Sequence, residues 1–156
     1  MPRSLATIKR LTPNSPAVPI CARWRYDAFL KQYGYSLADS LRQLKAVIEQ
    51  QDDEVALIAE IDRIPVGICL FVREELEPAH DLSPWLASLY VAPEFRQRGI
   101  GRDLVAAIEN HAAGAGADRL YLYTVTAEKF YARRGWAVME RFDWDGEPFV
   151  LMRRDL

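Results

Sequence analysis

The chain has 156 residues, half of them hydrophobic and 27% charged, the balance of a globular domain with room for one core. Its 20 Lys and Arg against 22 Asp and Glu leave a net charge of −2, without the basic excess of a nucleic-acid binder. No apolar stretch approaches the ~20 residues needed to cross a bilayer, so neither nucleic acid nor membrane is an expected partner.

In chain order, Met1 to Arg10 carries charges and no apolar run of signal-peptide length. With two cysteines that have no CxxC spacing, this points to a cytoplasmic protein. Ala6–Arg10 reads as a short strand, followed by the turn-rich Thr12-Pro13-Asn14-Ser15-Pro16. Val18–Gln32 and Leu37–Gln50 read as helices. The second has Leu37, Leu41, Leu44, Val47 and Ile48 at helical spacing, and Ser36 with Asp39 makes a loose capping box at its start. Val55–Ile61 and Ile64–Val72 are β-rich runs joined by Asp62-Arg63, a predicted hairpin. The second run is apolar at nearly every position, which predicts cover on both faces and makes Cys69 a buried small hydrophobe rather than a nucleophile.

The polar stretch Arg73 to Pro84 leads into a predicted strand at Trp85–Val91. Gly99 to Ala113 reads as a helix with Ile100, Leu104 and Ile108 on one side, stopped by Gly114 and Gly116. His111, late in that helix, reads as structural. Arg119–Thr124 is a strand, Ala127–Arg134 a short helix ended by Gly135, and Trp136–Trp144 with Phe149–Arg153 a closing strand pair. The order β-α-α-β-β-β-α-β-α-β-β predicts a single α/β domain over residues 1–156, with a mixed sheet of about seven strands flanked by about four helices.

The segment Tyr90-Val91-Ala92-Pro93-Glu94-Phe95-Arg96-Gln97-Arg98-Gly99-Ile100-Gly101-Arg102 carries the chemistry. Pro93 ends a strand and a helix opens near Gly99. The first amides of a helix lack internal partners and sit at the positive end of its dipole. Glycines allow close approach of a ligand, and Arg96, Arg98 and Arg102 add charge, so the turn suits a phosphate. It is not a P-loop, because Arg102-Asp103 follows Gly101 where Lys-Ser/Thr is needed. Nor is it a dinucleotide fingerprint, since the stretch Ala92 to Arg98 separates strand from glycines and Leu104 stands at the third small position. No His, Cys or carboxylate cluster has metal-ligand spacing, so no metal is expected.

Arg96-x-x-Gly99-x-Gly101 after Tyr90-Val91-Ala92-Pro93 resembles the coenzyme-A-binding signature of the GNAT acetyltransferases. The later Phe130-Tyr131-Ala132-Arg133-Arg134-Gly135-Trp136 resembles that family's second block, and the element order is similar from end to end. The resemblance implies an acetyl-CoA-dependent N-acetyltransferase acting on a small-molecule or peptide amine by direct attack in a ternary complex. It implies that backbone amides of Gln97, Arg98, Gly99, Ile100, Gly101 and Arg102 hold the diphosphate, with Arg96 as a further coenzyme-binding residue. The pantetheine arm would pair with Leu89, Tyr90 and Val91 in a gap beside the strand Arg119–Thr124, where a main-chain amide would polarise the thioester carbonyl. Tyr131 falls on the family's usual general acid.

Two positions depart from the pattern. Thr124 stands where an Asn often contacts the pantetheine, and its hydroxyl is expected to take over part of that bonding. The strand Trp85–Val91 lacks the carboxylate base that some members carry. The acidic run Glu74, Glu75, Glu77 and Asp81, with His80, suggests a cationic acceptor, with Asp81 helping to remove its proton and Trp85 or Trp24 as a wall. A homodimer is compatible with this reading. The alternatives are a domain that binds acetyl-CoA as a sensor or scaffold without turnover, and a nucleotide-using transferase.

Overall fold

The computed structural model describes residues 5–49, 52–75 and 81–156. Its strands are β1 (Thr7–Arg10), β2 (Val55–Ile61), β3 (Ile64–Val72), β4 (Trp85–Val91), β5 (Arg119–Thr124), β6 (Ala137–Trp144) and β7 (Glu147–Asp155). The helices are α1 (Val18–Arg25), α2 (Leu37–Glu49), α3 (Ile100–Gly114) and α4 (Glu128–Ala132). The strands form one sheet in the order β1-β2-β3-β4-β5-β7-β6. All neighbouring pairs are antiparallel except β4 and β5, which run parallel.

Local chemistry sets the element ends. Ser36 and Asp39 make the expected capping box: the Asp39 amide donates to Ser36 Oγ (3.0 Å) and the Ser36 amide to Asp39 Oδ2 (2.8 Å). Asp62 and Arg63, at φ +52° and +67°, turn β2 into β3 with the left-handed pair a tight hairpin needs. Val18–Gln32 is not one regular helix. After α1 the chain passes through a π turn at Tyr26–Leu30 and a 3-10 turn at Lys31–Tyr33, ending at Gly34 with φ +87°. This change of winding turns Phe29 and Tyr33 toward the cavity described below.

The alternation of β3 divides the core. Val66, Cys69 and Phe71 pack with Ile100, Leu104 and Ile108 of α3, whereas Ile68, Leu70 and Val72 pack on the side of Val18, Cys21 and Leu44 from α1 and α2. The strand is covered on both faces, as its apolar run predicts. Fully burying a Leu or Ile such as Leu104 or Ile58 contributes about 1.5–3 kcal/mol. Among the described residues no helix is long and apolar enough to cross a membrane.

β4 does two things that shape the site. Opposite β3 its register slips, with Ile68 paired to Tyr90 but Leu70 to Ala87, so Ser88 and Leu89 bulge out against Cys69 alone. Ser88 sits at φ +57°, an uncommon conformation for a residue with a side chain. Beside β5 the pairing is confined to Trp85 and Tyr121, with the Tyr121 amide donating to Pro84 O at 3.1 Å. Beyond that point the ladder ends, and a slot opens between the two strands.

Candidate active site

The slot belongs to a cavity of about 450 Å³. Leu86 to Leu89 of β4 form one wall, and Leu122 to Ala127 of β5 and its following turn form the other. Arg25, Phe29, Tyr33 and Tyr35 come from the α1–α2 side, Tyr131 from α4, and Glu147 and Phe149 from β7. Because Tyr131 packs in the α3 half of the core and Arg25 extends from α1, the cavity reaches both faces of the sheet.

The glycine turn lies where β4 ends. The Ala92 amide still donates to Val66 O (2.8 Å), then Pro93–Phe95 makes a 3-10 turn. Gln97 (φ +64°) and Gly99 (φ +83°) bend the chain into α3. Gly99 is the residue before the helix, and its left-handed conformation is the one glycine adopts freely. The first helical bond runs from the Asp103 amide to Gly99 O, 3.1 Å. Among the described residues the amides from Gln97 to Arg102 have no backbone acceptor, so this consecutive run of donors is available to an anion. Gly101 has close neighbours of its own: a Cβ there would lie 3.4 Å from the Phe130 ring and 3.8 Å from Val91.

The arginines brace this turn as well as charging it. Arg96 Nε donates to Val91 O at 2.8 Å, and its guanidinium lies 5.4 Å from the Tyr90 ring centre. Arg98 Nη2 donates to Glu94 O (3.3 Å), and Arg102 pairs with Asp103 at 3.3 Å. The fold adds two cations that the sequence reading left out, Arg133 and Arg134. Burial lowers the Arg134 pKa, and the positive charges of Arg102 and Arg133 lower it further. Such crowding of cations is relieved by a bound anion. The sequence signal was present in the pair Arg133-Arg134, but only the fold brings α4 against the start of α3.

Tyr131 is buried, 6% exposed, and packs edge-on against Phe130 (5.1 Å) and Trp136 (5.8 Å). It lines the cavity. Burial raises its pKa, so the phenol keeps its proton, as a donor must. Thr124 also lines the cavity, with Oγ1 accepting from the Ala127 amide at 3.0 Å, which fixes the turn into α4. Leu89, Tyr90 and Val91 are half-buried along the open side of β4, and Leu89 lines the cavity directly.

The structure redistributes the residues expected to meet an acceptor. Asp81 is exposed and does not line the cavity, and Glu74 is exposed as well. Glu75 does line it, near Arg25 and Tyr123, whose titrations it influences. Glu77 and His80 lie outside the described residues. Trp85 is not a pocket wall: it is fully buried, stacks on Tyr123 at 4.7 Å, and donates from Nε1 to Leu82 O. Trp24 packs on Tyr90 at 5.4 Å and does not line the cavity either. The aromatic walls are Phe29, Tyr33, Tyr35, Tyr123 and Phe149.

Of the charged lining residues, Arg25 and Glu147 are the two that sequence reasoning missed. For Arg25 a signal existed, since Val18, Cys21, Ala22 and Arg25 follow i, i+3, i+4, i+7 on the buried face of α1. Nothing local marks Glu147. The cysteines take no part: burial pushes the Cys21 thiol up to about 12 and raises that of Cys69 as well, so both stay protonated. His111 is structural as expected, with Nε2 2.7 Å from Asp53 O and its ring edge-on to Phe71.

The acetyltransferase (GNAT) family model matches residues 20–136, three quarters of the chain. No curated protein matches the sequence. Solved structures share the fold at low identity. A ribosomal-protein-alanine N-acetyltransferase from Brucella melitensis has a TM-score of 0.76 at 19% identity, covering 96% of this chain and 99% of the other. An aminoglycoside 6'-N-acetyltransferase complexed with coenzyme A scores 0.73 at 18% identity, covering 96% of both. An acetyltransferase from Streptococcus agalactiae scores 0.72 at 17% identity, covering 97% and 99%.

Proposed function

The chain belongs to the GNAT acetyltransferase family, and from that premise we propose that it transfers the acetyl group of acetyl-CoA to a primary amine. The observation that carries this reading is the slot between β4 and β5, with a run of unpaired amides beyond one end and a buried phenol in its wall.

The residues present fit this coenzyme. The amides from Gln97 to Arg102 and the cations Arg98, Arg102 and Arg134 supply donors and charge for a diphosphate. The half-buried edge Leu89–Val91, unpaired on its β5 side, offers main-chain groups to an amide-bearing arm lying as an added strand. Thr124 faces the same space. Acetyl-CoA, when bound, supplies the activated acyl group. An amide of Leu89–Val91 takes the charge that develops on the acyl oxygen. Tyr131 Oη holds the proton that the departing sulfur needs. The amine attacks directly, with no side-chain nucleophile, since both thiols are buried and protonated.

The acceptor enters from the α1–α2 side. Supporting a cationic acceptor are the carboxylates of Glu75 and Glu147 in the cavity wall and the aromatic rings around them. Removal of the amine proton falls to Glu75 or to a water it orients, because Asp81 lies outside the cavity. The test is release of free thiol from acetyl-CoA with a panel of cationic and neutral primary amines, alongside calorimetry of acetyl-CoA alone. Binding with amine-dependent thiol release supports the proposal. Binding with no release for any amine would make the domain a sensor, and preference for ATP over coenzyme A would remove the reading altogether.

A further inference from the structure

Arg25 is a cation where helix packing calls for an apolar residue. It occupies the inward face of α1 with Val18, Cys21 and Ala22 and is 6% exposed. Burying a guanidinium is costly unless its donors are used. Two of them are: Nε donates to Ser88 Oγ at 3.1 Å, and Nη1 reaches Ser40 O at 3.5 Å. Ser40 is itself fully buried, and its hydroxyl donates to Ala22 O at 2.7 Å. The Arg25 head is thus tied to both helices of the acceptor side, while its Nε reaches across to the sheet.

What it reaches is the residue that makes the bulge. Ser88 has φ +57°, and left-handed backbone at a residue with a Cβ persists only where its surroundings hold it. The register slip at Ser88 and Leu89 is also where β4 leaves its regular pairing with β3, just before the stretch Leu89–Val91. On β3, Cys69 Sγ lies 3.7 Å from Ala87 O and adds only a weak contact. Among the described residues, the Arg25 bond is the one side-chain hydrogen bond to Ser88.

The geometry points to Arg25 as a positioning residue. Its bond to Ser88 fixes the β4 bulge, and with it the aim of the main-chain amide that polarises the acyl carbonyl. This rests on the functional reading above, and it makes α1 part of the catalytic apparatus without contact to the reacting atoms. A purely structural arginine would stabilise the fold and leave the carbonyl's environment alone. A positioning one alters how strongly a bound thioester carbonyl is polarised.

The experiment uses acetyl-CoA carrying carbon-13 at its carbonyl, bound to the full chain, and reads the carbonyl stretch by isotope-edited infrared spectroscopy. Calorimetry gives the affinity, and circular dichroism checks folding. The wild type should move the stretch to lower frequency than in free acetyl-CoA. Ser88→Ala and Arg25→Met should each return it toward the free value at unchanged affinity. The double variant should add nothing further, because both changes break one link. Arg25→Lys, which keeps the charge but not the planar fork, should restore part of the shift. If Arg25→Met fails to fold, Ser88→Ala alone decides, since it removes a single hydroxyl. A carbonyl shift unaltered in Ser88→Ala would overturn the inference while the functional reading stands. Failure of the wild type to bind acetyl-CoA would overturn both.

Discussion

The two halves of the slot are built in opposite ways. The glycine turn is one unbroken stretch from Val91 to Arg102 whose donors are consecutive main-chain amides. The acceptor side is assembled from Arg25, Phe29 and Tyr33, from Glu75, from Tyr123, and from Glu147 and Phe149, segments more than a hundred residues apart at the extremes. Backbone chemistry in a local run survives in the sequence as glycines, a proline and arginines at fixed offsets. Side-chain chemistry collected by topology leaves no such trace, and one acidic stretch can present both a lining residue, Glu75, and a solvated one, Asp81.

The comparison predicts where damage should be general and where selective. The largest effect belongs to Tyr131, which stands between the halves. Tyr131→Phe keeps the ring packed against Trp136 and removes the donor, so turnover should fall about a hundredfold to ten-thousandfold while acetyl-CoA affinity holds. Because burial raises this pKa above its ordinary value near 10, the wild-type rate should not decline through Tyr131 ionisation below about pH 10. Unaltered turnover in a chemistry-limited assay would return Tyr131 to the core.

Next comes the turn itself. Arg98→Glu reverses a charge beside the run of open amides and should weaken acetyl-CoA at least about tenfold, roughly 1.4 kcal/mol, for every acceptor alike. Gly101→Val should do the same, but it also presses on Phe130 and so on α4, which makes the exposed Arg98 the cleaner probe. Calorimetry with intact circular dichroism is the measurement. Retained affinity in folded Arg98→Glu would break the turn's side of the comparison.

The acceptor side should fail selectively. Glu147→Gln should raise KM for cationic amines by about tenfold at low salt and less at high salt, since the attraction is screened. Neutral amines and acetyl-CoA affinity should be unaffected. Equal loss on both classes of amine would show that this carboxylate supports the fold rather than reads charge.

The smallest effect is a control on local signals outside the slot. Asp62→Asn with Arg63→Gly supplies the residues a left-handed hairpin turn prefers, and should raise stability by up to about 1 kcal/mol. That corresponds to a Tm increase of about 2–4 °C, read by thermal denaturation, with kinetics unchanged.

How much was legible follows the same division. The seven strands, the capping box at Ser36, the hairpin at Asp62-Arg63 and the double cover of β3 are set by neighbours in sequence, and the chain states them openly. The change of winding after Arg25 was not legible, because Tyr26–Tyr33 is as helical in pattern as the residues before it and only packing distinguishes them. Trp85 looked like a wall because it opens the strand that borders the slot. Its indole instead turns inward to Leu82 O and the Tyr123 ring, a choice made by the partner strand β5. The bulge at Ser88 lies in an unremarkable run of β-forming residues, and its strain is visible only against the register with β3.

The central claim is that one slot holds acetyl-CoA, with the Gln97–Arg102 amides on its phosphates and the Leu89–Val91 edge along its arm. Titrating labelled protein with acetyl-CoA and following backbone amide resonances tests it most directly. The account predicts saturable shifts, largest from Gln97 to Arg102 and joined by Leu89 to Val91, with one dissociation constant for both groups. Saturable binding that leaves the Gln97–Arg102 amides unmoved would contradict it.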